Sequence, residues 1–222
     1  HYEYEEDLED KFCNLWKDSN GLALVQASAQ NIDRIVTIYR AAKKNRRHIV
    51  LSGYVGHIMQ GIGNPHLPNF TWKDVHKFSS TPKHRHEIGI DGLMKNPQKY
   101  VVLLDYNISQ QLKKANAINA DTTYVYSMWS GYKEKYQDWF DYLADNKVQM
   151  TDIHTSGHAD IPTLKKMVVG LSPKVIIPIH TFYPQEFKQM FDNVICLNDG
   201  DVFNVLIKYC LLYTSDAADD RI

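Results

Sequence analysis

The feature that most constrains the fold is a regular alternation of short apolar runs with amphipathic helical segments. The run LALVQA, residues 22–27, is followed by a segment with apolar residues on one helical face, and then by the run HIVLSGY, residues 48–54. Short continuous apolar runs are typical of strands buried on both faces. Strand, helix and strand in this order form a parallel βαβ unit, so the sequence predicts a parallel sheet covered by helices.

The alternation continues along the chain and places the protein in the α/β class. Further strands are predicted in the runs KYVVLLDY, TTYVYSM, VQMTDI, KVIIPI, NVICL and DVFNVLI, at 99–106, 122–128, 148–153, 174–179, 193–197 and 201–207. Helices are predicted at 109–118, 132–146, 161–170 and 184–191. The polar stretch 61–99 predicts long loops with one short helix, and a domain boundary is predicted near residues 131–134.

Composition excludes several classes of protein. Hydrophobic residues make up 44% of the 222 residues, which is too many for a disordered chain. The net charge of −1 gives no global electrostatic case for nucleic-acid binding, so any such case is local. No apolar run approaches the length of a membrane span, and the acidic start HYEYEEDLED lacks the features of a secretory signal. Three scattered cysteines predict a reducing, cytoplasmic location.

Both ends of the chain suggest a piece of a longer protein. The first residue is His1 rather than Met, and it opens within an amphipathic helical pattern. The string CLLYTSDAADD, residues 210–220, resembles the translation of a transposon-end adapter used in sequencing-library preparation. We therefore expect residues 209–222 to be a non-native tail.

Three histidines mark the candidate site. The stretch DIHTSGHADIP holds His154 and His158 around a Thr-Ser-Gly turn, directly after a predicted strand, and His180 follows the run KVIIPI. Open α/β sheets bind ligands at the carboxyl ends of their strands. Backbone N–H groups around Ser156 and Gly157 suit a phosphate oxygen, His158 suits proton donation, and His180 suits a metal ligand. The residues alone equally allow ordinary hydrogen-bonded histidines.

The motif HTSGHAD, followed by PKVIIPIHTF, resembles the C-terminal motifs of the β-CASP branch of metallo-β-lactamase-fold nucleases. That branch includes the ribonuclease J enzymes and the endonucleases of messenger-RNA 3′ processing. The resemblance covers roughly residues 3–208. It implies a Rossmann-like, parallel-sheet β-CASP domain over residues 1–131, truncated at its N-terminus. Residues 132–208 would be the C-terminal part of the metallo-β-lactamase domain, with its RNA-specificity segment.

The resemblance also implies roles for individual residues. His158 would contact the substrate phosphate and donate a proton, and His180 would bind one of two zinc ions. His154, Ser156 and Gly157 would hold a substrate phosphate. The parent enzyme would hydrolyse single-stranded RNA in the cytoplasm, with no membrane partner, while homo-oligomer formation is left open.

The sequence departs from the family at the main metal site. The family's His-x-His-x-Asp-His motif is missing, and KHRHEIG, with His84 and His86, has Ile and Gly where Asp and His belong. We interpret His84 and His86 as solvated loop residues. A catalytic zinc site takes three protein ligands, so we expect this piece by itself to be inactive. Two alternatives stay open: a non-catalytic RNA- or protein-binding module, and a hydrolase of the same fold that acts on another substrate.

Several polar residues have both a structural and a functional interpretation. Ser28, Asn31 and Arg34 begin a predicted helix after a strand, where they would contact RNA or cap the helix. The basic run at 43–48 either complements a helix dipole or contacts an RNA backbone. The acidic run at 3–10 is interpreted as the solvated face of a helix.

Overall fold

The computed structural model describes residues 3–155 and 159–205. Residues 156–158, with Ser156, Gly157 and His158, lie outside this range, as does the predicted tail at 209–222. The chain divides into two compact units, residues 1–157 and 158–222. The predicted domain boundary between residues 131 and 132 stays a prediction.

The first unit alternates helices and strands. Its helices are α1 (Glu5–Trp16), α2 (Ile32–Lys44), α3 (Gly53–Gly61), α4 (Ile90–Lys95), α5 (Tyr106–Lys114) and α6 (Gln137–Asp145). Its strands are β1 (Ala23–Ala27), β2 (His48–Leu51), β3 (Val75–Phe78), β4 (Glu87–Ile88), β5 (Tyr100–Leu103), β6 (Thr123–Ser127) and β7 (Gln149–Asp152). Short 3-10 helices lie at Pro97–Lys99 and Ser130–Tyr136.

The seven strands form one sheet in the order β4-β3-β2-β5-β1-β6-β7, and every neighbouring pair is parallel. Strand β1 lies between β5 and β6, with Leu24 opposite Val102 and Tyr124. Helices cover both faces: α1, α2 and α3 pack on one, and α4, α5 and α6 pack on the other. The prediction of a Rossmann-like α/β fold with a parallel sheet is therefore confirmed.

The segment after β2 contains helix α3, which the sequence patterns did not predict. In the stretch 61–99, where loops and one short helix were predicted, the structure has strands β3 and β4 besides the short helix α4. Helix α3 begins at an N-cap, where the Ser52 hydroxyl accepts a hydrogen bond from the Val55 N–H at 3.3 Å. Glycines at both ends and in the middle weaken its helical pattern. Gly56 is nonetheless required by packing, because a Cβ there would lie 2.0 Å from the Phe70 ring. Strands β3 and β4 and helix α4 are too short to show a clear period.

The second unit contains α7 (Ile161–Leu171) and a 3-10 helix at Pro184–Gln189. Helix α7 begins as predicted, with the Asp160 carboxylate accepting from the Thr163 N–H at 2.8 Å. The predicted strand KVIIPI is wrong: Ile176 forms one isolated bridge with Val194, and Ile179 is exposed. Pro178 removes a donor from this run, and an apolar run becomes a strand only where a partner strand pairs with it. The predicted strands NVICL and DVFNVLI are also absent over the described residues 193–205. No helix in the described ranges is long and apolar enough to cross a bilayer.

Candidate functional site

The candidate site lies where β6 and β7 end, on the face of the sheet covered by α1 and α2. Strand β7 ends at Asp152, and the loop that follows places His154 half-buried near the end of β6. This position matches the prediction that His154 follows the carboxyl end of a strand. The location is the one where parallel sheets usually present ligand-binding residues.

Arg34 organises this edge of the sheet. Its side chain is fully buried, and its guanidinium forms a bidentate contact with Glu5 of α1, with Nη2 at 2.8 Å from Oε1 and Nε at 3.0 Å from Oε2. Nη1 donates to the Ser127 hydroxyl at 2.5 Å, and Nη2 to the Thr155 carbonyl at 3.4 Å. A planar fork of five donors is well suited to joining several acceptors in fixed positions. Arg34 thus ties α1, α2, β6 and the loop after β7 together.

The contact between Arg34 and His154 favours one tautomer of the imidazole. Nη1 of Arg34 lies 3.3 Å from Nδ1 of His154. Because a guanidinium can only donate, Nδ1 accepts, and the neutral ring then has its proton on Nε2. Burial, followed by the Arg34 charge, lowers the pKa of His154 below its usual 6.5, against the opposing influence of the Ser127 backbone, Glu5 and Asp152. The lowered pKa favours the neutral ring at neutral pH, and in the tautomer that satisfies the Arg34 contact Nε2 is the donor.

Three further hydrogen bonds hold the Glu5 carboxylate and the loop after β7 in place. The Thr37 hydroxyl donates to Glu5 at 3.1 Å, the Ser127 hydroxyl to the Ile153 carbonyl at 2.5 Å, and the Thr155 hydroxyl to the Glu3 carbonyl at 2.7 Å. The sequence pattern did not indicate roles for Glu5 and Ser127. Glu5 lies in the acidic run interpreted as a solvated face, and only the buried arginine opposite it reveals its role.

The predicted RNA contacts near the start of α2 differ in their surroundings. Asn31 is the N-cap, accepting from the Arg34 N–H at 3.0 Å, and Arg34 is buried as described. Ser28 is exposed, and its hydroxyl accepts from the Gln30 N–H at 3.3 Å. The structural interpretation therefore accounts for Asn31 and Arg34, while RNA contact by the three residues stays a prediction.

The basic run after α2 has structural contacts. Lys44 pairs with Glu9 at 2.7 Å, and buried Arg47 donates to the backbone carbonyls of Gly21 and Ser19 at 2.9 and 2.6 Å. Burial lowers the pKa of Arg47 to about 10. The run thus joins α2 to the start of β1.

His180 does not lie at the end of a strand as predicted. It is exposed in an irregular segment and has a left-handed backbone, with φ of 56°. Within 3–155 and 159–205, no three His, Cys, Asp or Glu side chains converge as metal ligands. Since catalytic zinc takes three protein ligands, the described residues by themselves do not fit a zinc ion.

A second group of histidines lies on the neighbouring strands β2 and β3. Nδ1 of His48 is 2.8 Å from Nε2 of His76, and the ring of His86 lies 6.5 Å from that of His76. Burial, then the neighbouring His48 and His86, lower the pKa of His76 to about 4. His84 is exposed as predicted, but His86 is partly buried, so the interpretation of His86 as a solvated residue is wrong.

The lowered pKa of His154 makes folding sensitive to acid. The unfolded chain binds a proton at His154 from about pH 6.5 downward, while the folded chain resists it until the lowered pKa is reached. The free energy of unfolding therefore falls as the pH drops through this window. We expect His154→Gln to lose less stability than the wild type between neutral pH and about pH 5.5, measured by urea denaturation.

The variant His84→Gln, at an exposed histidine, provides the control for this measurement. His76 also has a lowered pKa, but it is present in both variants, so its contribution to the pH dependence is the same in each. A pH dependence in His154→Gln equal to that in His84→Gln would show that His154 does not resist protonation in the folded chain.

Comparison with known families adds one finding. Residues 146–191 match the family model for the RNA specificity domain of Zn-dependent metallo-hydrolases. The matched range contains β7, His154, α7 and His180. No curated protein matches the chain. The part of the chain from 146 to 191 is thus similar to the RNA specificity domain of Zn-dependent metallo-hydrolases.

Proposed function

We propose that this chain is part of a β-CASP-type, ribonuclease J-like metallo-hydrolase that cleaves RNA phosphodiesters, and that it supplies the surface that holds the RNA. The observation that carries the proposal is that the matched RNA-specificity segment contains the histidine loop that Arg34 organises. The family is zinc-dependent, and His180 is proposed as one metal ligand. Ser156, Gly157 and His158 are proposed to complete the phosphate site.

The described residues support a specific role for His154. Its neutral ring has a donor at Nε2 and accepts from a fixed cation at Nδ1. A neighbouring cation polarises the ring and strengthens its remaining donor. A phosphate oxygen is an acceptor that such a donor would bind. Arg34 therefore acts as a positioning residue behind His154.

The test is binding of a fluorescein-labelled, single-stranded oligouridylate to the full chain, followed by fluorescence anisotropy at low and at physiological salt. We expect RNA to bind and the affinity to fall with salt, as phosphate contacts require. His154→Ala removes one hydrogen bond to a charged group, which corresponds to a loss in affinity of about tenfold. Circular dichroism verifies that the variant remains folded.

The exposed His84→Ala is the matched control and is expected to bind like the wild type. Failure of the wild-type chain to bind RNA, or equal binding by His154→Ala and the wild type, would contradict the proposal. Incubation of the same RNA with the chain and added zinc should leave the RNA intact, because the described residues do not form a zinc site, and cleavage would contradict the expected inactivity of this piece.

A further inference from the structure

A crevice of about 520 Å³ opens on the opposite face of the sheet from Arg34. Its walls come from the ends of β1, β5 and β6, from α5, and from the segment that leads into α6. The carboxyl ends of parallel strands are where open α/β sheets bind ligands, and the volume lies within the range of small-molecule sites. The crevice and the His154 site flank the end of β6, because Ser127 contacts Arg34 while the next residue, Met128, lines the crevice.

One buried amide lies in the wall of the crevice. The Gln26 side chain is 8% exposed, and its Oε1 accepts a hydrogen bond from the Tyr124 hydroxyl at 2.5 Å. This contact fixes the orientation of the amide. In the described part of the chain, no residue accepts a hydrogen bond from its Nε2. The N–H groups of Nε2 are therefore available to an acceptor on a ligand, such as the edge of a base.

Aromatic side chains and lysines line the same crevice. Tyr106 is 80% exposed at the first position of α5, and Tyr136 and Trp139 line the wall. Exposed aromatic rings are the usual stacking surfaces for bases in single-stranded nucleic acid. The Nζ atom of Lys113 lies 5.0 Å from the centre of the Tyr142 ring, and Nζ of Lys135 lies 5.0 Å from the centre of the Tyr132 ring.

The charges around the crevice are divided between these two lysines and two carboxylates. Across 3–155 and 159–205, neither lysine forms an ion pair. The Asp105 carboxylate accepts from the Ile108 N–H at 2.8 Å and so caps α5. Asp138 is exposed on the wall and has no described partner. A carboxylate of this kind is a common acceptor for ribose hydroxyls, while unpaired lysines bind phosphate.

We propose that this crevice binds one ribonucleotide of a single-stranded RNA. Tyr106 stacks on the base, Gln26 donates to the base edge, Asp138 accepts from the ribose 2′-hydroxyl, and Lys113 and Lys135 contact the phosphate. The proposal rests on the RNA-binding function proposed above and adds a second contact on the same strand. An RNA that passes the end of β6 would contact His154 on one side and the crevice on the other.

The test compares binding of the fluorescein-labelled oligouridylate to variants of the full chain. Loss of a stacked base weakens binding by about tenfold, so Tyr106→Ala is expected to show this loss. Tyr54→Ala, at an exposed tyrosine near the start of α3, is the matched control and should bind like the wild type.

Lys113→Gln should reduce the slope of affinity against salt by about one phosphate contact, and the exposed Lys95→Gln should not.

Ribose recognition is tested with the DNA oligonucleotide of matched sequence. The wild type should bind the RNA more tightly than the DNA. Asp138→Asn should reduce this difference between the two affinities. The crevice proposal would be overturned if Tyr106→Ala and Lys113→Gln both bound RNA as tightly as the wild type while His154→Ala bound it more weakly. The proposed function would then remain intact. Absence of RNA binding by the wild-type chain would overturn both. Equal losses on RNA and DNA in every variant would overturn the assignment of a ribonucleotide.

Discussion

Replacing Arg34 with methionine is expected to lower the free energy of unfolding by about 3 kcal/mol. The guanidinium is fully buried and forms the bidentate contact with Glu5, so its removal leaves this carboxylate, the Ser127 hydroxyl and the His154 ring without a shared partner. Breaking a buried ion pair by removing one partner costs about 3–5 kcal/mol. The lower end applies here, because the Glu5 side chain keeps 29% of its exposure and is partly solvated.

Urea denaturation followed by circular dichroism measures the effect. Arg40→Met is the matched control, since Arg40 is exposed on the same helix and its loss should change stability by less than about 0.5 kcal/mol. A difference between the two variants smaller than this value would show that Arg34 does not organise the site. A double-mutant cycle with Glu5→Gln isolates the energy of the pair.

Replacing Gly21 with alanine is expected to destabilise the chain by about 3 kcal/mol, for a reason that involves space rather than charge. Gly21 is buried just before β1, and a Cβ there would lie 1.8 Å from the Asp121 carbonyl oxygen and 2.8 Å from the Thr122 nitrogen. Both atoms belong to the backbone, so the segment before β6 must move away from β1. The movement disturbs the pairing of β1 with β6 at its first residues, where Ala23 lies opposite Thr123.

Gly61→Ala is the matched control for this substitution. Gly61 ends α3, and nothing lies within 4 Å of the Cβ that the change adds. Alanine also favours the helix there, so the control should be neutral or slightly stabilising. Equal unfolding midpoints for the two variants in urea would contradict the close approach of the two segments.

Sequence patterns predicted the central part of the sheet well, because β1, β5 and β6 are buried runs that pack on both faces. They failed where an apolar run needs a partner to become a strand. The run that ends before His180 is as apolar as β1, yet only one bridge forms there, and pairing depends on distant residues that local pattern does not contain. Strands β3 and β4 were missed because two to four residues show no reliable period.

The positions of the candidate residues were predicted in part. The rule that polar residues after parallel strands meet at one edge placed His154 after the end of a strand, where the structure has it, while its role in a site stays a prediction. The same reasoning could not find Glu5, because its partner lies 29 residues away and the ion pair forms only when α1 packs on α2. The crevice was also beyond sequence reasoning, since its walls combine residues from Gln26 to Trp139 that only the strand order brings together.

The central position of β1 has a consequence for how the chain folds. Ala23 pairs with Val101 and Thr123, which follow it by 78 and 100 residues, so β1 is synthesised long before either neighbour. A buried apolar strand has no partner during that interval, and pairing between distant segments is slow. Such a segment is prone to associate with other unfolded chains. Nascent β1 is therefore the segment of this sheet that most depends on chaperones or on early packing of α1 and α2.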